Sequence, residues 1–384
     1  MQKITDTIYN VGVNDTTLDL FESQYKVPQG ISYNSYLILE EKVVLLDTVD
    51  KRVTEEWLDH LDELLNGRKV DYLIISHMEP DHAANINKLL ERYPDLLLVG
   101  NTKTFKLMSQ FFNIEVSKQS ILVNEGDVLP IGTHQFQFYM APMVHWPEVM
   151  VTYERTEKVL FSADAFGKFG TMEDKENWEE EARRYYFNIC GKYGMPVQTL
   201  LKKAKTLELC KICPLHGPVI EENLSDCMDK YHTWSSYLPE EEGVVVAYGS
   251  IHGNTKKAAQ KMVELLKEAG KEKVEMWDLA RSDMSEVLAE TFRYSQLILA
   301  APTYDSGIFP CMEEFLLHLR AKGYQKRSVG IIENGSWAPQ AGKHMKKILE
   351  EMKEIDIKET MVTICSTLKD ADIETMKKLI AELS

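Results

Sequence analysis

The feature that most constrains how this chain can fold is a six-residue stretch, HMEPDH, that holds four potential metal ligands. It follows the apolar run 72–76, which is typical of a buried strand. Side chains two residues apart in an extended segment point the same way, so His77, Glu79 and Asp81 can converge where the strand ends. The proline after Glu79 keeps that residue out of helical geometry, and an apolar-periodic segment begins at His82. Asp81 and His82 can therefore diverge enough to serve a second metal ion.

Three further candidate ligands lie farther along the chain. His145 and Asp164 each follow a strand-like apolar run, and His216 lies on a loop bracketed by proline and glycine. A single histidine or aspartate in such a place is usually structural. Read together with the first stretch, however, the seven residues can hold two metal ions that share a bridging carboxylate.

The length and the pattern of the chain favour two domains. At 384 residues the chain is long for a single core. Strand-like and helical runs up to residue 211 predict an α/β sandwich with the sheets inside and the helices outside. The composition turns acidic and turn-rich at 237–243, and strands and helices then alternate as in a small doubly wound parallel sheet. We therefore place the domains at 1–242 and 243–384.

Charge and composition exclude some classes of partner. The chain has 44 basic and 60 acidic residues, and its net charge of -16 argues against nucleic acid or an anionic membrane as a partner. The sequence begins without a segment that resembles a signal peptide, and no apolar stretch approaches the length of a membrane span. We expect a cytoplasmic protein. Its six cysteines are scattered, so reduced thiols are expected, and the pair Cys210 and Cys213 has either a structural role or a redox or metal-binding one.

In a doubly wound sheet the ligand lies beyond the carboxyl ends of the strands, so the loops at those ends are the candidate cofactor site. The loop 250–255 (SIHGNT) offers hydroxyls, a glycine and amides that lead into a helix, which makes a phosphate cradle. The loops 301–307 and 333–339 each offer amides and an aromatic ring, Tyr304 or Trp337, to flank a planar ligand. The candidate cofactor-binding residues are Ser250, Ile251, His252, Gly253, Asn254, Thr255, Pro302, Thr303, Tyr304, Asp305, Ser306, Gly307, Asn334, Gly335, Ser336, Trp337 and Ala338.

The second half of the chain resembles the flavodoxins. The loop 250–255 is similar to their T/S-x-T-G-x-T signature, with His252 in place of the usual threonine. The resemblance implies bound FMN. His252 either contacts the phosphate or only shapes the turn.

The first half resembles the metallo-β-lactamase family, whose motif is H-x-H-x-D-H with a later His, Asp and His. This chain departs from that motif at Glu79, where the hydrolases have a second histidine. A carboxylate in place of an imidazole suits iron or manganese better than zinc. The pattern H-x-E-x-D-H, followed by a flavodoxin-like module, resembles the flavodiiron proteins over essentially the whole chain. That resemblance implies a metallo-β-lactamase-like αββα sandwich.

The resemblance also implies roles for individual residues, which are iron ligands and one tyrosine. The implied ligands are His77, Glu79 and His145 for one iron, Asp81, His82 and His216 for the other, and Asp164 as the bridge. In some members of the family the residue at the position of His82 is not coordinated. Tyr193 resembles a tyrosine of the family that donates to a bound intermediate, although an ordinary hydrogen-bonded tyrosine would look the same.

Members of this family reduce dioxygen to water and nitric oxide to nitrous oxide, with electrons relayed through FMN. The resemblance is to the two-domain class, so we expect an external donor, either a rubredoxin or, as in methanogen relatives, a reduced deazaflavin. It also implies a head-to-tail homodimer or a dimer of dimers. The rival interpretation is a zinc-dependent hydrolase of the metallo-β-lactamase type that carries the flavodoxin-like module as a passenger. Metal content discriminates between the two.

Overall fold

The computed structural model describes residues 1–114, 118–176 and 178–383. The contacts between residues divide the chain into two compact units. The first comprises Met1–Tyr186 and Met195–His232, and the second comprises Phe187–Gly194 and Thr233–Ser384. Each unit has its own apolar core.

The first unit contains two large sheets and several short strands. In chain order the strands are β1 (Gln2–Lys3), β2 (Ile8–Asn10), β3 (Val13–Asp15), β4 (Leu20–Phe21), β5 (Tyr25–Lys26), β6 (Ile31–Tyr33), β7 (Tyr36–Leu39), β8 (Val43–Leu46), β9 (Tyr72–Ile74), β10 (Leu97–Gly100), β11 (Ser120–Leu122), β12 (Val128–Ile131), β13 (His134–Met140), β14 (Met150–Glu154), β15 (Val159–Phe161) and β16 (Lys211–Cys213). One sheet has the order β1-β2-β7-β8-β9-β10-β11, and the other has the order β12-β13-β14-β15-β16.

Helices accompany these sheets. In chain order they are α1 (Thr54–Leu65), α2 (Pro80–Ala83), α3 (Ile86–Arg92), α4 (Thr102–Phe111), α5 (Trp178–Ile189), α6 (Gly194–Ala204) and α7 (Leu224–Ser235). Helix α1 buries Trp57, Leu61 and Leu65, which recur on one face at a spacing of four. Side chains from both sheets, among them Ile74 and Phe138, form the core between the sheets. The predicted αββα sandwich is confirmed.

The second unit is built on one mainly parallel sheet. Its remaining elements are β17 (Glu241–Tyr248), α8 (Asn254–Glu268), β18 (Val274–Asp278), α9 (Met284–Arg293), β19 (Tyr294–Tyr304), β20 (Gly307–Ile308), α10 (Pro310–Ala321), β21 (Arg327–Asn334), α11 (Ala341–Glu350), β22 (Ile355–Ile364) and α12 (Asp370–Glu382). The parallel strands have the order β18-β17-β19-β21-β22, and β20 pairs with β19. Because the chain steps outward from the first strand in both directions, the predicted doubly wound sheet is confirmed.

One predicted loop has more structure than the sequence indicates. Strand β19 continues to Tyr304, and β20 pairs antiparallel with it, so that 301–308 is largely a hairpin. Its two turn residues, Asp305 and Ser306, have φ values of 46° and 62°. Two consecutive left-handed residues form the tight turn that suits the twist of paired strands. The polar turn residues that suggest an open loop are those of a two-residue hairpin.

Candidate metal centre and cofactor loops

The candidate metal ligands lie where strands of both sheets end. Strands β15 and β16 are parallel and pair Phe161 with Cys213. Asp164 and His216 each follow three residues after that pair, so both side chains are delivered to the same edge. Strand β9 ends at Ile74, and the chain then runs through His77 before helix α2 begins. The two sheets therefore bring distant segments of the chain to one place.

The first group of candidate ligands comprises His77, Glu79, His145 and Asp164. Glu79 Oε2 lies 3.1 Å from the Nε2 atom of His77 and 3.0 Å from that of His145. Asp164 Oδ2 lies 3.3 and 3.5 Å from the same two nitrogens. Two imidazole nitrogens and two carboxylate oxygens thus surround one point.

The second group comprises Asp81, His82 and His216. The two Nε2 atoms of His82 and His216 face each other at 3.0 Å, and Asp81 Oδ2 lies 3.4 Å from both. Helix α2 begins at Pro80, so Asp81 and His82 lie on its first turn, whereas His77 and Glu79 precede the helix. This geometry explains why two neighbouring residues of one short motif join a different group from His77.

Asp164 links the two groups. Its Oδ2 atom faces the first group, while its Oδ1 atom lies 3.6 Å from His82 Nε2 and 3.8 Å from His216 Nε2. Both oxygens are buried and have no hydrogen-bond partner among the described residues. A buried carboxylate without a partner is costly, and two metal ions on either side of it would satisfy both oxygens. Imidazole and carboxylate donors are those that iron accepts, so the residues present fit a diiron centre.

Residues that the motif does not contain hold these ligands in place. The buried Asp47, which follows β8, accepts hydrogen bonds at Oδ1 from the main-chain nitrogens of Ser76 and His77 at 2.7 and 3.4 Å. Thr48 donates from its nitrogen and its hydroxyl to the carbonyl oxygen of His82, both at 2.8 Å. The sequence analysis missed both residues. The sequence pattern that could have indicated Asp47 is an aspartate that closely follows an apolar strand, as also occurs at Asp164.

Electrostatics separates the two histidines of the short motif. Burial alone would lower the pKa of His77, but the Asp164 charge and the hydrogen bonds that His77 donates to Glu148 and Glu79 outweigh it and raise that pKa. Burial and the neighbouring His216 hold the pKa of His82 well below its usual value. His82 is therefore poised as a neutral imidazole, the form that binds metals.

Access to the centre is one-sided. The side chains of Glu79, His145 and Asp81 are 19%, 12% and 12% exposed, whereas His77 and His82 are fully buried. Around His216, three rings pack closely: Phe21, Tyr185 and Tyr33 have centroids 5.3, 5.5 and 5.9 Å from the imidazole. A small ligand can reach the centre beside Glu79 and His145, while the aromatic rings close the His216 side.

The first cofactor loop is a cradle at the start of α8. Ser250 Oγ accepts hydrogen bonds from the main-chain nitrogens of Gly253 and Lys256 at 3.1 and 3.2 Å. Gly253 has a φ of 86°, and a Cβ atom there would meet nothing within 4 Å. Ile251 and His252 are exposed, and Thr255 is buried. An open, glycine-containing turn before a helix N-terminus fits a phosphate group.

The other two loops are joined to each other. The Thr303 hydroxyl accepts hydrogen bonds from the nitrogens of Gln340 and Ala341 at 2.9 and 3.1 Å. The ring of Tyr304 is 45% exposed, and that of Trp337 is 93% exposed. A planar ring against these aromatic faces would cover apolar surface that the chain leaves uncovered, so the residues fit a flavin.

The remaining candidate residues lie elsewhere in the chain. Tyr193 ends the short turn Gly191–Tyr193, which belongs to the second unit, whereas the seven metal candidates belong to the first. Cys210 is exposed and Cys213 is buried at the end of β16, and both are free thiols. Within the described part of the chain, no helix combines the length and apolar character that crossing a membrane requires.

Comparison with known proteins matches both halves of the chain. The pattern of the family described as "ODP family beta lactamase" matches residues 31–217, and that of "Flavodoxin" matches residues 246–377. An uncharacterized protein of Methanocaldococcus jannaschii is 30% identical over 357 residues, which cover 91% of this chain and 89% of that protein. An anaerobic nitric oxide reductase flavorubredoxin of Vibrio vulnificus is 27% identical over 347 residues, which cover 87% of this chain and 70% of that protein. The structure of the rubredoxin oxygen:oxidoreductase of Desulfovibrio gigas matches with a TM-score of 0.94 at 26% identity, and covers 100% of this chain and 97% of that one.

Proposed function

Since this chain belongs to the flavodiiron proteins, a family of oxidoreductases with FMN and a non-haem diiron centre, we propose that it reduces dioxygen to water, nitric oxide to nitrous oxide, or both. The observation that carries the proposal is the position of Asp164. Each of its two oxygens faces a different group of ligands, and neither has a hydrogen-bond partner among the described residues. A shared carboxylate between two sets of imidazoles is what a pair of iron ions requires.

The proposed iron ligands divide as the two groups do. His77, Glu79 and His145 would hold one iron, Asp81, His82 and His216 would hold the other, and Asp164 would be shared. The set contains three carboxylates, and their negative charge favours oxidised iron over zinc. Glu79 is the decisive member of the set, because a second imidazole at that position would recreate the zinc-binding pattern.

The protein around the centre controls access. The substrate approaches on the side where Glu79, Asp81 and His145 retain some exposure. The rings of Phe21 and Tyr33 keep bulk water from the opposite side and give an apolar wall that suits an uncharged diatomic molecule. Buried carboxylates that hydrogen-bond the imidazoles orient them and set the charge of the site before the substrate arrives.

The second unit binds FMN in this proposal. The loop 250–255 holds the phosphate, while Tyr304 and Trp337 flank the ring system, and the amides of the loops 302–307 and 334–338 hydrogen-bond its polar edge. Flavin accepts electrons singly or in pairs and an iron pair stores two more, so together they supply the electrons for reduction of the substrate. Tyr193 lies in the second unit, and only the resemblance to the family supports its proposed role as a hydrogen-bond donor to the bound substrate. We propose that residues 1–242 form the metal-binding domain and residues 243–384 form the FMN-binding domain.

Partners and assembly follow from the same proposal. The proposed electron donor is a rubredoxin or a similar carrier, because the Desulfovibrio gigas relative is a rubredoxin oxygen:oxidoreductase. The metal candidates and the flavin loops lie in different units, and a head-to-tail homodimer or a dimer of dimers would pair one subunit's flavin with the other's iron. We place the protein in the cytoplasm. Sedimentation equilibrium on the cofactor-loaded protein tests the assembly, and a monomer would contradict it.

The first experiment is metal and flavin analysis of protein purified without air from cells grown with iron. We expect about two irons and about one FMN per chain. Stoichiometric zinc with little iron would overturn the proposal and favour hydrolase chemistry.

A second experiment compares substrates. The reduced protein, supplied with electrons by rubredoxin, is mixed with dioxygen or with nitric oxide, and consumption of each gas is followed with an electrode. Turnover of either gas supports the proposal, and the ratio of the two rates assigns the preference. A protein loaded with iron and FMN that consumes neither gas would contradict it.

A further inference from the structure

Among the candidate ligands, His77 has an unusual partner on the side of its ring that faces away from the centre. Its Nδ1 atom lies 2.9 Å from Oε1 of Glu148, and the same oxygen accepts a hydrogen bond from the nitrogen of Met78 at 2.9 Å. Both side chains of the His77–Glu148 pair are fully buried. One carboxylate oxygen therefore holds both the imidazole and the main chain beside it, and no motif in the sequence contains this glutamate.

The main chain of Glu148 is itself anchored. The side-chain amide of Asn101 donates to the carbonyl oxygen of Glu148 at 2.6 Å. The same side chain caps helix α4, because its oxygen accepts from the nitrogens of Lys103 and Thr104 at 2.9 and 3.2 Å. A chain of hydrogen bonds thus runs from a helix N-terminus through Glu148 to His77. Such a chain leaves little freedom for the ring to rotate.

Among the described residues, neither histidine of the second ligand group, His82 or His216, bonds a carboxylate at Nδ1. His216 Nδ1 donates to the main-chain carbonyl of Ser32 at 2.7 Å, which is a neutral acceptor. His82 Nδ1 is buried and has no hydrogen-bond partner among the described residues. At Nδ1, therefore, His77 bonds a buried carboxylate, His216 bonds a carbonyl, and His82 has no partner among the described residues.

We propose that Glu148 is a positioning residue of the metal centre, and that it makes the iron position formed by His77, Glu79 and His145 the tighter of the two. Its hydrogen bond keeps the proton on Nδ1 of His77 and leaves Nε2, which faces Glu79 and Asp164, free to bind metal. An imidazole that is hydrogen-bonded to a carboxylate is also a stronger metal ligand than one that is hydrogen-bonded to a neutral carbonyl. The inference rests on the proposed diiron centre.

The test compares Glu148→Gln and Glu148→Ala with the parent protein, each in the full, FMN-loaded chain. Glutamine retains an oxygen acceptor at this position but removes the charge, whereas alanine removes both. The measurement is the ferrous iron retained against increasing concentrations of a ferrous chelator, with Mössbauer spectra to count the two iron environments separately. We expect one iron to lose roughly ten- to hundredfold in affinity in Glu148→Ala, less in Glu148→Gln, and the other iron to be retained as in the parent.

A matched control is available in the same sheet. Glu154, at the end of β14, pairs with the buried His134 at 3.0 Å, and its side chain is also fully buried. That pair contacts no candidate ligand within the described contacts. Glu154→Gln therefore imposes the loss of a buried carboxylate–histidine pair without touching the metal centre, and it should retain both irons with parental affinity.

Several outcomes would overturn the inference. Glu148 does not position one iron if Glu148→Ala retains both irons as the parent does, or if it loses both equally. The same conclusion follows if Glu148→Gln and Glu154→Gln lose iron equally. If the parent chain holds zinc, the proposed diiron function fails, but the same variants measured for zinc retention still decide the role of Glu148. If Glu148→Ala does not fold, the comparison of the two glutamine variants decides it.

Discussion

The candidate metal ligands come from four separate segments, 77–82, 145, 164 and 216, whereas the candidate flavin residues lie in three short loops at the ends of strands β17, β19 and β21. The metal side is buried, with Asp164 and His216 each 1% exposed, while Trp337 on the flavin side is 93% exposed. One site is assembled by packing two sheets together, and the other by the ends of neighbouring strands in a single sheet.

The difference indicates how each site should respond to change. A site built from distant segments depends on buried partners such as Asp47 and Glu148, which hold the ligands before a metal arrives. A site built from exposed loops depends mainly on the residues that touch the ligand. Changes on the metal side should therefore affect metal content and stability together, while changes on the flavin side should affect affinity alone.

The largest effect is expected for Asp164→Asn, which breaks the metal side without touching the flavin side. Because each oxygen of Asp164 faces a different ligand group, both irons should be lost, with activity reduced by at least about a hundredfold. FMN content should stay parental. Metal analysis and flavin absorbance measure both quantities. Asp15→Asn, which alters a buried carboxylate paired with Arg52 at 2.8 Å, is the control and should keep its iron. Retention of two irons in Asp164→Asn would refute the bridging role.

A smaller effect is expected for Glu154→Gln, which tests stability in the first unit apart from its metal centre. Burial alone would lower the pKa of His134 and raise that of Glu154. Their 3.0 Å contact, joined at Glu154 by main-chain hydrogen bonds from Thr156 and Glu157, outweighs burial, so the pKa of His134 is raised and that of Glu154 is lowered. The His134 contribution is fully present below its ordinary pKa of 6.5 and is lost as pH rises through the folded pKa. The Glu154 contribution is present above its ordinary 4.5 and is lost as pH falls through the folded pKa.

The His134–Glu154 pair should therefore stabilise the fold most between pH 4.5 and pH 6.5, the ordinary pKa values of the two groups. Glu154→Gln should lower the free energy of unfolding by roughly 1–3 kcal/mol in that window, and by less on either side of it. The measurement is the difference in Tm between the parent and Glu154→Gln across a pH series, with Glu208→Gln at an exposed carboxylate as the control. A difference that does not change with pH would contradict this account.

Trp337→Ala sharpens the comparison from the flavin side. The indole is almost fully exposed, so its removal should change the free energy of unfolding of the flavin-free protein by less than about 0.5 kcal/mol. FMN affinity should fall roughly tenfold, because the ring loses an aromatic flank. Fluorescence titration with FMN measures the affinity. Leu317→Ala, on a residue of α10 that is 40% exposed, should change neither quantity, and parental affinity in Trp337→Ala would remove the loop 334–338 from the site.

The smallest effect is expected for Tyr193→Phe, because one hydrogen bond to substrate is worth about 0.5–1.5 kcal/mol. Turnover should fall roughly two- to tenfold. Iron and FMN content should be parental, as should the free energy of unfolding. Tyr153→Phe is the control, since it loses a 2.7 Å hydrogen bond to the carbonyl of Glu208 and should keep parental turnover. Equal turnover in the two variants would make Tyr193 an ordinary structural tyrosine.

Local patterns predict much of this molecule. The αββα sandwich and the doubly wound sheet follow from strand and helix periodicity, and the seven candidate ligands that the sequence singles out do come together in one unit. The hairpin at 301–308 was predicted only as a loop, because two polar residues with left-handed backbone suit both a hairpin turn and an open loop. The pairing of His134 with Glu154 could not be predicted, since nothing local along the chain indicates that Glu154 lies opposite it.

By itself, the sequence determined which residue types the metal centre can use, because six residues after a buried strand supply four ligands and Glu79 replaces the histidine of zinc enzymes. Tertiary structure alone decided that Asp47 holds the main chain of the short motif and that Glu148 bonds His77 from 71 residues away. The physical reason is the distance along the chain between the groups that interact. Strand and helix patterns arise from neighbours along the chain, whereas a hydrogen bond between buried side chains depends on how two sheets pack, which no local pattern encodes.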